Sequence, residues 1–246
     1  MSAQLILLLA ATMVVTAFLS GIFGMAGGMI LMGVLLFLLP LPEAMALHAI
    51  TQMASNGWRG VLWFRYVRWR PAVMFLAGCA VAFAIWSIWR YTPDKGVALV
   101  LLGVSPFLVR LVPHSWRPDP NKLLHGLCYG GVCMSLMLVA GVSGPLVDSY
   151  FLGGKFDRRE IVATKAVCQV VSHGAKFLYF GSLVDQSASF DPLMGAVAVA
   201  ASITGTSLAR PILERLTEVQ YRRWATRIIL TIATVYLARG GYLLAQ

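Results

Sequence analysis

The residues whose types and spacing could do chemistry fall into two sets. His48, Gln52, Ser55 and Arg59 are spaced four, three and four residues apart, and Lys165, Gln169, Ser172 and Lys176 repeat that spacing at an offset of 117. Asn56 and His173 form a further pair at the same offset. Steps of three and four put each set on one face of a helix. The flanks are apolar, with Ile50, Met53 and Val61 around the first set and Val167, Val170 and Leu178 around the second. A polar, cationic stripe on an apolar helix must face water or an anion. Lys and Arg would neutralise such an anion, and Gln, Ser and Asn would donate hydrogen bonds to it.

The offset extends beyond the stripes. It pairs Gly24 with Gly141, Gly27 with Gly144, Glu43 with Glu160 and Gly78 with Gly195 without a gap, which marks an internal duplication. Two of these pairs sit in breaks of apolar runs, Gly24-Met-Ala-Gly27-Gly28 and Gly141-Val-Ser143-Gly144-Pro145. Each break opens a shorter helix, whose unpaired N–H groups and dipole attract anions. Proline suits such a first turn, since its missing N–H costs nothing there. Each feature has a plainer competing use. The glycines could serve close helix packing, Arg59, Lys165 and Lys176 could snorkel to the membrane surface, and His48 and His173 could be hydrogen-bonded core residues.

The elements that position these residues follow from composition. Of 246 residues, 59% are hydrophobic and 12% charged, against about 25% charged in soluble domains; mean hydropathy is +0.76. Continuous apolar runs near the length of a bilayer crossing recur throughout, so the chain is read as a helical, multi-pass membrane protein. The net charge of +10 lies in short loops, which is a topology signal and not a nucleic-acid surface. Cys79, Cys128, Cys133 and Cys168 lie in apolar segments without a Cys-x-x-Cys pair and read as small buried hydrophobes. The N-terminal apolar stretch has no basic residues before it and reads as a first transmembrane helix, not a cleaved leader. Metal-ligand spacing, a Gly-x-Ser-x-Gly elbow and a P-loop are all missing from the sequence. The expectation is a protein that is not an enzyme and uses no cofactor or metal.

Along the chain, the run 3–39 should split at its glycines into a full helix and a shorter returning one. Further helices are expected at about 44–64, 71–89, 96–112, 123–143, 146–154, 161–181, 192–209 and 224–244. The first stripe exits into Arg65, Arg68 and Arg70, the second into a loop carrying Asp185 and Asp191. The positive-inside rule then makes the two copies run in opposite directions, with both termini outside. The expected fold class is an all-α polytopic membrane protein, an inverted repeat of two homologous halves. Each half has a Gly-broken helix pair plus three further transmembrane helices. Residues 1–112 form the first repeat, 113–122 a cytoplasmic connector and 123–246 the second. In transporters this architecture puts the site near the midplane, beside broken helices.

Three features resemble the TauE/SafE family of sulfite and organosulfonate exporters. They are the paired glycine motifs, the block Asp157-Arg-Arg-Glu160-Ile-Val-Ala-Thr164-Lys-Ala with its Lys176-Phe-Leu-Tyr ending, and the closing Gly205-Thr-x-x-Ala-Arg-Pro-x-Leu-x-Arg215-Leu segment. The first motif departs from the family's glycine string at Met25 and Ala26. The resemblance implies a multi-pass protein of the cell inner membrane that exports a small sulfur oxyanion or a related organic acid. The expected site comprises Gly24, Gly27, Gly28, His48, Gln52, Ser55, Asn56 and Arg59 from the first half. From the second it takes Gly141, Ser143, Gly144, Lys165, Gln169, Ser172, His173 and Lys176. Its expected partners are a small anion and the bilayer, with a coupling proton or sodium ion and a homo-oligomer left open. An anion channel or a non-transporting membrane scaffold would use the same cationic stripes.

Overall fold

Glycine and proline punctuation divides an otherwise apolar chain into helices. The computed structural model describes residues 3–23, 25–111, 118–183, 191–213 and 218–246, which are helical with no strand among them. The first run breaks at its glycines into α1 (Ala3–Phe23) and α2 (Met25–Leu38). The 14 residues of α2 reach about 21 Å, short of a hydrocarbon core of about 30 Å. The first polar helix, α3 (Leu41–Leu62), starts after Pro40 with proline in its first turn and Glu43 near its positive end. A short 3-10 turn, Phe64–Tyr66, leads to α4 (Trp69–Trp89) and then α5 (Lys95–Leu111).

The second half repeats the order with α6 (Leu123–Ala140), α7 (Gly144–Leu152), α8 (Arg158–Leu178), α9 (Pro192–Leu213) and α10 (Glu218–Leu244). Gly141 ends α6 in the left-handed region at φ 81°, where a Cβ is disfavoured. A Cβ there would also press on the sulfurs of Met32 and Met45. The polar helix α8 starts with a capping box. Glu160 N–H donates to Asp157 Oδ1 (2.8 Å) and Asp157 N–H to Glu160 Oε2 (3.0 Å). Past Leu178 the chain widens into a π turn, Tyr179–Leu183. The loop expected to carry Asp185 lies outside the described residues.

Five helices, α1, α4, α6, α9 and α10, are long and apolar enough to cross a membrane, so the chain is a multi-pass membrane protein. Between them α3 and α8 keep their stripes inward. The most extensive contacts join α4 with α6, α1 with α9, α3 with α8 and α5 with α10. Exchanging the halves turns the first pairing into the second and maps the last two onto themselves. The two polar helices are therefore packed counterparts at the centre. Cys79, Cys133 and Cys168 are buried, but Cys128 is exposed. Burial was the wrong expectation for Cys128 because the outer surface of a membrane helix is itself apolar.

At one end the halves are tied by polar contacts. Arg68 pairs with Glu160 at 2.5 Å, and Arg68 N–H donates to Thr164 Oγ1. Arg159 donates to the Tyr66 hydroxyl at 3.0 Å and lies over the Trp63 and Tyr66 rings. The Arg159 bond, with Arg65 assisting, holds the Tyr66 hydroxyl below its usual pKa.

Candidate functional site

Where α3 and α8 meet the broken ends of α2 and α7, they enclose a cavity of about 30 Å³, room for about two waters. It is lined by Gly28, His48, Gln52, Asn56, Arg59, Gly144, Lys165, Gln169 and His173, with Met25 and Val142 completing the wall. Eight of these eleven residues form four pairs at the offset of 117: His48 faces the site as Lys165 does, Gln52 as Gln169, Asn56 as His173, and Met25 as Val142. Gly144 is the counterpart of Gly27, one residue from Gly28. Gly28, Gly144 and Arg59 line the cavity without their own counterparts Pro145, Gly27 and Lys176.

Lys176 is fully buried. Its Nζ donates to the Gly141 carbonyl at 2.9 Å and lies 2.8 Å from His48 Nδ1. His48 Nε2 lies 2.9 Å from the Gly28 carbonyl, which can only accept. The network therefore assigns the proton to Nε2 and makes Nδ1 the acceptor from Lys176. The His48 and His173 rings lie 5.5 Å apart. His173 Nδ1 is buried without a hydrogen-bond partner among the described residues, on a side chain that faces the cavity. Lys176 thus reaches the cavity through His48, and no carboxylate pairs with it among the described residues. Lys165 is half-buried and ion-paired with Asp148 of α7.

Several expected site residues point elsewhere. Ser55 hydrogen-bonds Thr206 of α9 at 2.8 Å, and Ser172 lies against Cys79 of α4 at 3.8 Å. Helical geometry explains the first. At about 100° per residue, Asn56 sits about 80° to one side of His48 and Ser55 about 20° to the other, so the cavity takes Asn56 and Arg59 while Ser55 turns to α9. Gly27 packs on α1, where a Cβ would strike the Thr16 carbonyl and Ser20. The packing use of that glycine prevails over direct lining. Gly141 and Ser143 shape the α6–α7 break without lining the cavity, though the Gly141 carbonyl holds Lys176. Gly24 lies outside the described residues. The stripe reading had no means of finding Met25 and Val142, nor Asp148 as the partner of Lys165. A four-residue step cannot reveal a partner on another helix.

The cavity lining brings together two cations, two glutamines, a histidine and Gly144 with its backbone N–H, groups able to donate hydrogen bonds. As the first residue of α7, Gly144 has no intrahelical acceptor for that N–H. The family description "Sulfite exporter TauE/SafE" matches residues 8–237. The chain belongs to the TauE/SafE family. Membership makes this TauE/SafE protein a membrane transport protein and not an enzyme. No curated protein and no solved structure gives a significant match to it.

Proposed function

We propose that this TauE/SafE protein is a secondary transporter that exports a small sulfur oxyanion or organosulfonate, such as sulfite, across the cell inner membrane. The observation that carries the reading is the cavity itself, built largely from matching positions of both halves and lined by Arg59, Lys165 and His173, whose Nδ1 has no hydrogen-bond partner among the described residues. An oxyanion accepts hydrogen bonds and donates few, which fits a lining of donors. Gln52, Asn56 and Gln169 orient it, and Lys176 acts through His48. A buried amine without a carboxylate partner is costly unless an anion enters to compensate it.

In this reading residues 1–112 and 123–246 are inverted repeats joined by a cytoplasmic connector, 113–122. They rock about the α3–α8 centre to open the site to either side. Opposite charge at the two stripe exits supports the inversion, and the exchange of helix pairings supports a two-fold relation of the halves. The deciding experiment is flux from proteoliposomes loaded with sulfite, sulfate, thiosulfate or sulfoacetate. Saturable efflux with counterflow is expected for a sulfur oxyanion. Non-saturating flux would indicate a channel, and no anion-dependent flux a scaffold.

A further inference from the structure

A second, larger hollow lies on the flank of the bundle and shares no lining residue with the first. The short helix α2 contacts both α1 and α10, while α1 and α10 barely meet. A groove of about 840 Å³ is left between them, closed on the far side by α5. Its walls are apolar, carrying exposed side chains such as Leu8, Phe37 and Val235. Behind it, Tyr236 donates its hydroxyl to the Met29 carbonyl at 2.6 Å, and it occupies the space a side chain at Gly33 would need.

Charge sits at one end only. Lys95, the first residue of α5, and Arg239, one turn from the end of α10, both line the groove. Among the described residues neither pairs with a carboxylate; Arg239 lies over the Tyr242 ring, and Asp94 beside Lys95 is exposed and unpaired. From Leu243 to Thr231 the groove follows α10 for about 18 Å, somewhat more than the hydrocarbon depth of one leaflet, about 15 Å.

We infer that this groove is a binding site for one anionic phospholipid, its acyl chains lying along α1, α2 and α10 and its phosphate held between Lys95 and Arg239. Depth, apolar walls and a cationic mouth at helix ends match such a lipid and no water-soluble ligand. A phosphatidylethanolamine fits less well, because its own ammonium would face two cations. The site is separate from the α3–α8 cavity and does not depend on what that cavity transports.

Delipidated protein in detergent, titrated with phosphatidylglycerol or phosphatidylethanolamine of the same chains, tests the assignment by native mass spectrometry. One retained phosphatidylglycerol per chain is expected, preferred by about twenty-fivefold, since each of the two interfacial cations favours an anionic lipid by about fivefold. The K95Q/R239Q double variant should lose the preference, and Val235→Trp, which fills the groove from an exposed position, should lose lipids of both kinds. Equal retention of the two lipids by wild type overturns the inference. So does unchanged phosphatidylglycerol binding in both variants, or a wild-type dimer whose dissociation by Val235→Trp shows that a second copy covers the groove.

Discussion

Lys165 and Lys176 occupy related stripes but depend on different neighbours. Lys165 is held by Asp148, so an incoming anion competes with a carboxylate for it. Lys176 has only neutral acceptors, His48 and the Gly141 carbonyl. Lys165→Gln is expected to weaken sulfite binding about tenfold, because it removes a cation and leaves Asp148 unpaired beside the site. Adding Asp148→Asn should restore part of that affinity, measured as the sulfite-dependent shift in unfolding temperature. If the double variant binds no better than Lys165→Gln, Asp148 does not compete. At this scale the sequence disclosed the donors, since His48, Gln52, Arg59, Lys165 and Gln169 stand out as polar residues in apolar surroundings. The His48–Lys176 bond was hidden because it joins residues 128 positions apart on different helices.

Among the elements, the broken helices divide the work of their glycines. Gly27 fits α2 against α1, whereas Gly144 starts α7 at the cavity, its Cβ position 2.8 Å from Met25 Cβ. Gly27→Ala should therefore lower the unfolding temperature and the yield of folded protein, as expected when a Cβ is forced into backbone. Gly144→Ala should cost less of the fold but lose sulfite binding, because its Cβ meets the Met25 Cβ, which moves only with the start of α2 at the cavity, and not the Thr16 carbonyl. Equal loss of fold in both, followed by unfolding temperature and gel filtration, would remove the distinction. Helix limits were mostly legible from proline, glycine and charge, as the starts of α5, α6 and α9 show. The ends of α8 were not, because the π turn at Tyr179–Leu183 keeps an apolar sequence. Its Tyr179 hydroxyl donates to the Tyr91 carbonyl across the bundle at 2.9 Å, a contact without a local signature.

For the whole molecule, orientation is the quantity that charge alone predicts. In a Cys128→Ser background, which removes the exposed native thiol, an impermeant thiol reagent should label Ser187→Cys in intact spheroplasts. It should label Arg70→Cys only after permeabilisation. Labelling of both from the same side would rule out inverted halves. The duplication and its offset were readable because the polar identities sit in sequence too apolar to supply them by chance. Which helices touch was not readable, since α4 with α6 and α1 with α9 are packed by small and aliphatic side chains that carry no address.

The exchange of helices at the centre also constrains how such a chain can diverge. Freshly duplicated halves are identical, so every residue on the α3–α8 contact begins with an identical counterpart in the other half. A lysine at both 48 and 165 would supply six donors and no acceptor, leaving the amine at 176 with only the Gly141 carbonyl. The present chain keeps lysine at 165, where Asp148 answers it, and has histidine at 48, whose Nδ1 accepts from Lys176. Asn56 where the other half has His173 is a second such departure. A fold that doubles its donors by copying a gene gains acceptors only by letting the copies drift apart, and its most informative positions are those where the two halves disagree.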